Sequence, residues 1–230
     1  MIVQIYTMQT PEEALACVAA GVDHLGTTPS TRGLPGEISV ETTKAIFAAV
    51  GSRAVKIALT VDTDPAVIVP MARAVMPDVL HLCPLRGAFL PDAVAALREQ
   101  LPGVKIMQAI SVGGPDTLDQ AVGDALAYAP VSDYLILDTQ APHIEGIGAS
   151  GVAHDWSVSR RIVESVRIPV ILAGGLSPAN VGAAMRAVRP YGVDSLTHTN
   201  QPIPGGFRKD IEKVRAFVQS VRAASAEIPS

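Results

Sequence analysis

Asp138 has the residue type and location expected of a proton-transfer group. It closes the apolar segment YLILD, and alternation along a strand places it on the same face as Tyr134 and Ile136. A carboxylate at the end of a buried strand can act as a general acid or base, because partial burial raises its pKa toward neutrality. The alternative is an aspartate that only accepts hydrogen bonds from amides of the following loop. We favour catalysis by Asp138.

Gly174 and Gly175 have the residue type expected of an anion-binding loop. They follow the apolar segment 169–173 and precede Ser177-Pro178, which predicts the start of a helix. Glycine lets the backbone approach an anion closely, and amides at a helix N-terminus favour negative charge. A tight turn that only needs positive φ angles is the simpler alternative. We expect a phosphate group at these glycines.

Two further loops contain candidate residues. Gly148, Ser150 and Gly151 lie in the long segment after Asp138, where small residues are compatible with a lid that closes over a substrate. Arg32 follows the second predicted strand and could hold a carboxylate or a phosphate. An ordinary surface loop and a solvated arginine are the respective alternatives.

Composition argues against several classes of protein. The chain has 230 residues, of which 48% are apolar and 17% charged, so it can bury a large core. Its net charge is −4 without a basic stretch, which argues against nucleic-acid binding. No apolar segment reaches the roughly 18 residues of a membrane span, and the first residues lack the apolar block of a signal peptide. With only two cysteines, Cys17 and Cys83, these features predict a cytoplasmic protein.

Strand-like and helical segments alternate along the chain. Eight such pairs predict a closed parallel sheet, a (β/α)8 TIM barrel of the α/β class, with residues 1–223 as a single domain and 224–230 as a loose tail. Chemistry in such barrels lies at the C-terminal ends of the strands, where Asp138 and Gly174 fall. The predicted strands are 3–6, 24–27, 54–60, 79–83, 104–110, 134–138, 169–173 and 193–196; the predicted helices are 11–20, 39–49, 64–75, 91–100, 116–127, 157–166, 177–188 and 210–223.

The order of motifs resembles the phosphoribosylanthranilate isomerase family. The resemblance covers most of the chain and is most specific in the second half. It rests on Asp138-Thr139, 148–151 (GASG), Asp155-Trp156, 169–176 (PVILAGGL), Asn180-Val181, 191–194 (YGVD), Lys209-Asp210 and 213–217 (KVRAF), with weaker matches at 11–14 (PEEA), 20–23 (AGVD) and 30–32 (STR).

This resemblance implies a fold and an activity. The family is a (β/α)8 barrel that carries out an Amadori rearrangement in tryptophan biosynthesis, converting an aminoaldose phosphate to an aminoketose phosphate without a cofactor. A cysteine ending strand 1 is its general base and an aspartate ending strand 6 its general acid. By resemblance, Asp138 is the acid, Arg32 contacts the anthranilate carboxylate, and Gly174 and Gly175 hold phosphate. We expect a small anionic, phosphorylated substrate, and a homodimer is left open.

Three strand ends depart from the family pattern. Strand 1 reads Gln4-Ile5-Tyr6-Thr7 instead of Lys-Ile-Cys-Gly, so Tyr6 replaces the base, and an unperturbed tyrosine has a pKa of about 10. Strand 4 ends His81-Leu82-Cys83-Pro84 instead of Gln-Leu-His-Gly, and Leu196-Thr197-His198 replaces Ser-Ser-Gly after strand 8. The candidate bases are therefore Tyr6, Cys83 or a water, and the candidate substrate or phosphate contacts include His81, Thr197 and His198.

Different chemistry is the main alternative. His81 and Cys83 share a face of their strand, and with His198 they could hold zinc or another divalent ion. The spacing matches no recognised metal motif, and a hydrogen-bonded barrel histidine beside a small buried cysteine is the simpler interpretation. No cofactor is therefore expected. A diverged barrel with metal-assisted lyase or isomerase chemistry on a small sugar acid or phosphate stays open, as does a non-catalytic barrel that binds small anions.

Overall fold

Eight parallel strands close into a barrel in the computed structural model, which describes residues 1–139, 147 and 154–227. In barrel order they are β1 (Ile2–Tyr6), β2 (His24–Thr27), β3 (Val55–Thr60), β4 (Val79–Leu82), β5 (Lys105–Ser111), β6 (Tyr134–Asp138), β7 (Val170–Leu172) and β8 (Gly192–Ser195). Each strand runs parallel to both neighbours, and β8 closes the ring against β1. The predicted (β/α)8 fold is confirmed.

Helices cover the outside of the barrel. They are α1 (Pro11–Ala19), α2 (Val40–Val50), α3 (Pro65–Val75), α4 (Pro91–Gln100), α5 (Leu118–Tyr128), α6 (Trp156–Ser165), α7 (Val181–Val188) and α8 (Ile211–Glu227). Local sequence explains the start of α1, because Thr10 Oγ1 accepts the Glu13 amide at 3.2 Å and Pro11 follows the cap. None of the helices within the described ranges is long and apolar enough to traverse a lipid bilayer.

The alternation of side chains divides each strand between two cores. Val3 and Ile5 of β1 join the core between strands and helices, whereas Tyr6 joins the core inside the barrel with Met107 and Ile136. This division predicts which side chains can meet at the mouth. Every inward residue near a C-terminal strand end faces the same space.

Two predicted boundaries in the second half are displaced by four residues in the structure, from 177 to 181 and from 223 to 227. The sequence predicts a helix from Ser177, but α7 begins at Val181 because Asn180 folds residues 177–180 into a turn: its Oδ1 accepts the Ser177 amide at 2.8 Å, and its amide donates to the Ser177 carbonyl at 3.2 Å. The predicted loose tail is wrong for residues 224–227, which continue α8; residues 228–230 lie outside the described chain.

A short hairpin was not predicted in the last β/α unit. Strand β9 (Asn200–Ile203) pairs antiparallel with β10 (Gly206–Lys209), and Gly205 in the turn has a φ of +83°. Because prolines at 202 and 204 disfavour strands, the sequence does not indicate this hairpin. An isolated two-stranded hairpin nevertheless tolerates prolines at its edges. The hairpin brings Lys209 into the protein, where its side chain is almost fully buried.

Candidate active site

The C-terminal strand ends enclose a cavity of about 580 Å³, part of which is open to solvent. We call it the main cavity. Its titratable lining residues are Tyr6, His81, Cys83, Asp138 and Asp194. The first four were predicted from the sequence, so alternation and barrel geometry brought the expected side chains together.

A smaller space of about 270 Å³ adjoins the main cavity, and we call it the glycine compartment. It is lined by Gly174, Gly175, Thr197 and His198, the residues predicted to contact phosphate. Asp138 and Asp194 line both spaces. A small molecule can therefore place an anionic end against the glycines and its reacting carbons against the carboxylates.

Asp138 closes β6 in a partly buried position. Its Oδ1 accepts the Thr139 amide at 2.7 Å, so it makes the local hydrogen bond of a loop-capping aspartate. Burial nevertheless raises its pKa to about 7, and the Thr139 amide lowers it by less. An aspartate that gains and loses a proton near neutrality can act as acid or as base.

Asp194 is a second carboxylate that the sequence analysis missed. It lies within β8, opposite Gln4 of β1, and its side chain is 6% exposed. Burial, followed by the nearby charge of Asp138, raises its pKa to about 8, while Gln4 and Lys209 counteract the shift. Its Oδ1 has no hydrogen-bond partner among the described residues. The signal was available, since alternation places Asp194 on the same face as Leu196.

Tyr6 and His81 form a buried pair. The Tyr6 hydroxyl lies 2.7 Å from His81 Nδ1, and the two rings meet edge to face. Burial first, and then Asp194 and Cys83, raise the pKa of Tyr6 well above 10, and burial lowers the pKa of His81 to about 3. The tyrosine ring covers Gly26, where a Cβ would lie 2.2 Å from it. Tyr6 is therefore a fixed, neutral phenol.

Cys83 is held as a thiol rather than a thiolate. Its Sγ donates to the Ile147 carbonyl at 2.7 Å, and burial raises its pKa to about 12. Neither Cys83 nor Tyr6 has the lowered pKa that an activated base would need. These pKa values therefore argue against both Tyr6 and Cys83 as the general base.

Gly174 has a packing role in addition to the expected contact with an anion. It adopts a φ of +79°, and a Cβ there would lie 2.7 Å from His154 Nδ1 and 3.0 Å from Thr139 Oγ1. His154 in turn lies 2.6 Å from Ser159 Oγ at its other ring nitrogen. The glycine therefore admits the imidazole behind the loop, as well as exposing backbone to the compartment. Gly175 also has a positive φ, +62°.

The structure separates Arg32 from the main cavity. Arg32 is exposed, forms an ion pair with Asp62 and lines a surface groove with Thr60 and Met71. Its loop still contributes Leu34 to the main cavity. The predicted lid residues Gly148, Ser150 and Gly151 lie outside the described residues.

The described residues do not include a ligand set for the metal-dependent alternative. Across residues 1–139, 147 and 154–227, no three His, Cys, Asp or Glu side chains are grouped to hold a metal ion. The proposed ligands His81 and Cys83 are instead engaged by Tyr6 and Ile147.

The fold and the site together define a (β/α)8 barrel with acid–base groups beside an anion-sized compartment. Comparison with known proteins identifies the family within this class of barrels. The sequence profile of the N-(5'phosphoribosyl)anthranilate (PRA) isomerase family matches residues 3–220. The chain belongs to this family of isomerases, which confirms the resemblance seen in its motifs.

One relative and two solved structures are similar over almost the whole chain. The N-(5'-phosphoribosyl)anthranilate isomerase of Methanocella arvoryzae is 34% identical over 220 residues, covering 96% of this chain and 97% of the relative. The crystal structure of the Thermus thermophilus phosphoribosyl anthranilate isomerase superposes with a TM-score of 0.79 at 25% identity, covering 97% and 99% of the two chains. A solved phosphoribosyl anthranilate isomerase in complex with reduced 1-(o-carboxyphenylamino)-1-deoxyribulose 5-phosphate gives a TM-score of 0.77 at 22% identity, covering 97% and 100%.

Proposed function

We propose that this chain catalyses the Amadori rearrangement of N-(5'-phosphoribosyl)anthranilate, a step of tryptophan biosynthesis. Family membership supports the reaction class, and one observation carries the proposal for this site. Asp138, a carboxylate with a pKa near neutrality, lines both the main cavity and the glycine compartment. A phosphorylated sugar held at the glycines thus presents its ring to a proton donor.

The reaction needs proton transfer at separate atoms. Opening the sugar ring requires a proton on the ring oxygen, and forming the aminoketose requires removal of a proton from C2 and addition of one at C1. Asp138 gives the proton to the ring oxygen, because its raised pKa keeps a substantial protonated fraction near neutral pH. No step needs an electron carrier, so we infer that no cofactor is required.

The two spaces support an assignment of the binding residues. Gly174 and Gly175, with Thr197 and His198, hold the phosphate, and the main cavity accommodates the aromatic ring. The contact of Arg32 with the anthranilate carboxylate stays a prediction, as do the lid, the homodimer and the cytoplasmic location.

Turnover by the purified protein tests the proposal. The wild-type chain should convert N-(5'-phosphoribosyl)anthranilate, should bind reduced 1-(o-carboxyphenylamino)-1-deoxyribulose 5-phosphate, and should restore growth to a tryptophan auxotroph lacking this isomerase. Tight binding of the reduced analogue without turnover would favour the non-catalytic anion binder. Failure of both binding and turnover would overturn the proposed function.

A further inference from the structure

The main cavity contains a proton donor but lacks the base expected at the end of strand 1. Tyr6 occupies that position as a buried phenol bonded to His81, and the thiol of Cys83 is bonded to Ile147. The reaction still requires a group that removes the C2 proton. That group must reach the main cavity and lie close to strand 1.

We propose that the Asp194 carboxylate is this base, so that Asp138 and Asp194 form a pair that moves both protons of the rearrangement. The inference rests on the proposed function and names a role that the strand 1 residue cannot fill. Asp194 lies on β8 directly beside β1, with its Cα opposite Gln4, one inward position below Tyr6. It lines the main cavity and the glycine compartment together with Asp138.

The unsatisfied state of Asp194 points to a ligand. A buried carboxylate oxygen without a partner is costly, and Oδ1 of this 6% exposed side chain has none in the described part of the chain. His81, which is 4% exposed and lines the main cavity, likewise has no partner for Nε2 among the described residues. Both atoms are available to a polar molecule in the cavity, such as a hydroxylated sugar.

Local charges determine which member of the pair holds the shared proton. Two close carboxylates in a desolvated site share one proton near neutral pH, because the charge of one raises the pKa of the other. Lys209 and the Gln4 amide favour the ionised form at Asp194, and the Thr139 amide favours it at Asp138. With a pKa of about 8 against about 7 for Asp138, Asp194 holds the shared proton in the larger fraction of the free site. The reactive form is the minor one, in which the proton is on Asp138 and the ionised Asp194 can accept the C2 proton.

The protons and electrons balance over one cycle. Asp138 protonates the ring oxygen, the C1–O bond breaks, and the nitrogen lone pair forms a C1=N bond. Asp194 then removes the C2 proton, and that electron pair forms C1=C2 and neutralises the nitrogen. Asp194 returns its proton to C1 while the C2 hydroxyl proton passes to Asp138. Both carboxyl groups end as they began.

Several groups face Asp194 and bear on its titration. They are Gln4 and Tyr6 of β1, Cys83 after β4, Asp138 of β6 and Lys209 of β10. A pH profile of kcat reports the pair as a whole, rising as the base ionises and falling as the acid loses its proton. Replacement of one carboxyl group at a time should therefore remove one limb and leave the other.

The test compares Asp194→Asn with Asp138→Asn and wild type. Asp194→Asn should lower kcat by about 100-fold or more, remove the acid limb of the profile and bind the reduced analogue within about threefold of wild type. Asp138→Asn should remove the alkaline limb instead. In Asp194→Ala, added formate should restore part of kcat in a saturable manner, which a purely structural residue would not show.

The outcomes separate this inference from the proposed function. If the wild-type protein turns over the substrate and Asp194→Asn has the same kcat, the inference alone is overturned. If the wild-type protein is inactive, both the inference and the proposed function are overturned. If Asp194→Asn fails to fold or to bind the analogue, the kinetics of Tyr6→Phe decide whether Asp194 or Tyr6 is the base. Loss of less than about tenfold with the acid limb intact supports Asp194, and abolished turnover with analogue binding intact returns the role to Tyr6.

Discussion

The tripeptide Gly-Val-Asp occurs twice in this chain, and its two aspartates lie at opposite ends of the barrel. In residues 21–23 the tripeptide precedes β2, so Asp23 lies at the N-terminal end of the strands. In residues 192–194 it begins β8, so Asp194 lies inside the strand and faces the mouth. Gly192 is needed there because a Cβ would lie 2.7 Å from Ile171 Cδ1 and 2.9 Å from Ile2 Cβ. Strand register, rather than the motif, decides what each carboxylate does.

The carboxylates at the N-terminal end are fully engaged. Asp23 accepts the Val3 amide at 2.8 Å and pairs with Arg222 at 2.9 Å. The same arrangement recurs before β4 and β6, where each aspartate accepts a strand amide and pairs with a cation; these are Asp78 with Lys56, and Asp133 with Ile106 and Arg98. These aspartates hold neighbouring strands in register and stabilise the barrel.

The carboxylates at the mouth lack such neutralising partners. Within the described chain neither Asp138 nor Asp194 forms an ion pair, and both have raised pKa values. One end of the barrel thus uses aspartate for stability, and the other keeps it available for a substrate. Substitutions at the two ends should therefore have opposite effects on stability and activity.

Asp138→Asn should give the largest effect. Loss of the acid should lower kcat by about 10²–10⁴-fold, because the amide has the same shape but cannot protonate the ring oxygen. Steady-state kinetics would measure the loss, and binding of the reduced analogue would show that the site remains intact. Near-normal turnover would exclude Asp138 as the acid.

The stability of Asp194→Asn should depend on pH. The folded-state pKa of Asp194 is raised to about 8, against about 3.9 in an unfolded chain, so its stabilising contribution is complete below about pH 4 and is lost as the pH rises through 8. The amide never ionises. The variant should thus be more stable than wild type at pH 9, on the order of 2–5 kcal/mol, with the difference vanishing near pH 4. Urea unfolding at several pH values would measure it, and a constant difference would contradict the desolvated carboxyl.

Asp133→Asn should show the reverse dependence at the other end of the barrel. Although burial raises its pKa, the Arg98 hydrogen bonds and the Ile106 amide lower it overall, so its contribution is present above about pH 4 and is lost as the pH falls. At pH 7 the variant should lose about 1–2 kcal/mol in the free energy of unfolding, since the pair is partly solvated. Its kcat should stay at the wild-type value. A large fall in kcat without a loss of stability would break the division between the two ends.

Sequence patterns specified the fold better than the site. Periodicity and turn residues were sufficient to predict eight β/α units. Alternation of side chains along the strands correctly grouped Tyr6, His81, Cys83 and Asp138. Asp194 was missed although alternation along the predicted strand 193–196 places it on the same face as Leu196, because the local pattern does not show that pairing with β1 buries it beside Gln4. Similarly, the position of Lys209 depends on a proline-containing hairpin, and the raised pKa values depend on burial from several strands. These are tertiary effects that no local pattern encodes.

Arg32→Ala should give the smallest effect on stability and a decisive effect on binding. The Arg32–Asp62 pair is at the surface, with the arginine side chain 41% exposed, so its loss should cost at most about 1 kcal/mol. If Arg32 leaves Asp62 to hold the anthranilate carboxylate, KM should rise by about tenfold or more, with kcat little changed. Arg53→Ala, an exposed arginine bonded only to nearby carbonyls of α2, provides a matched control with unchanged KM. Equal KM values in the two variants would show that Arg32 acts only within its surface loop, because an arginine that reaches the substrate must affect ground-state binding.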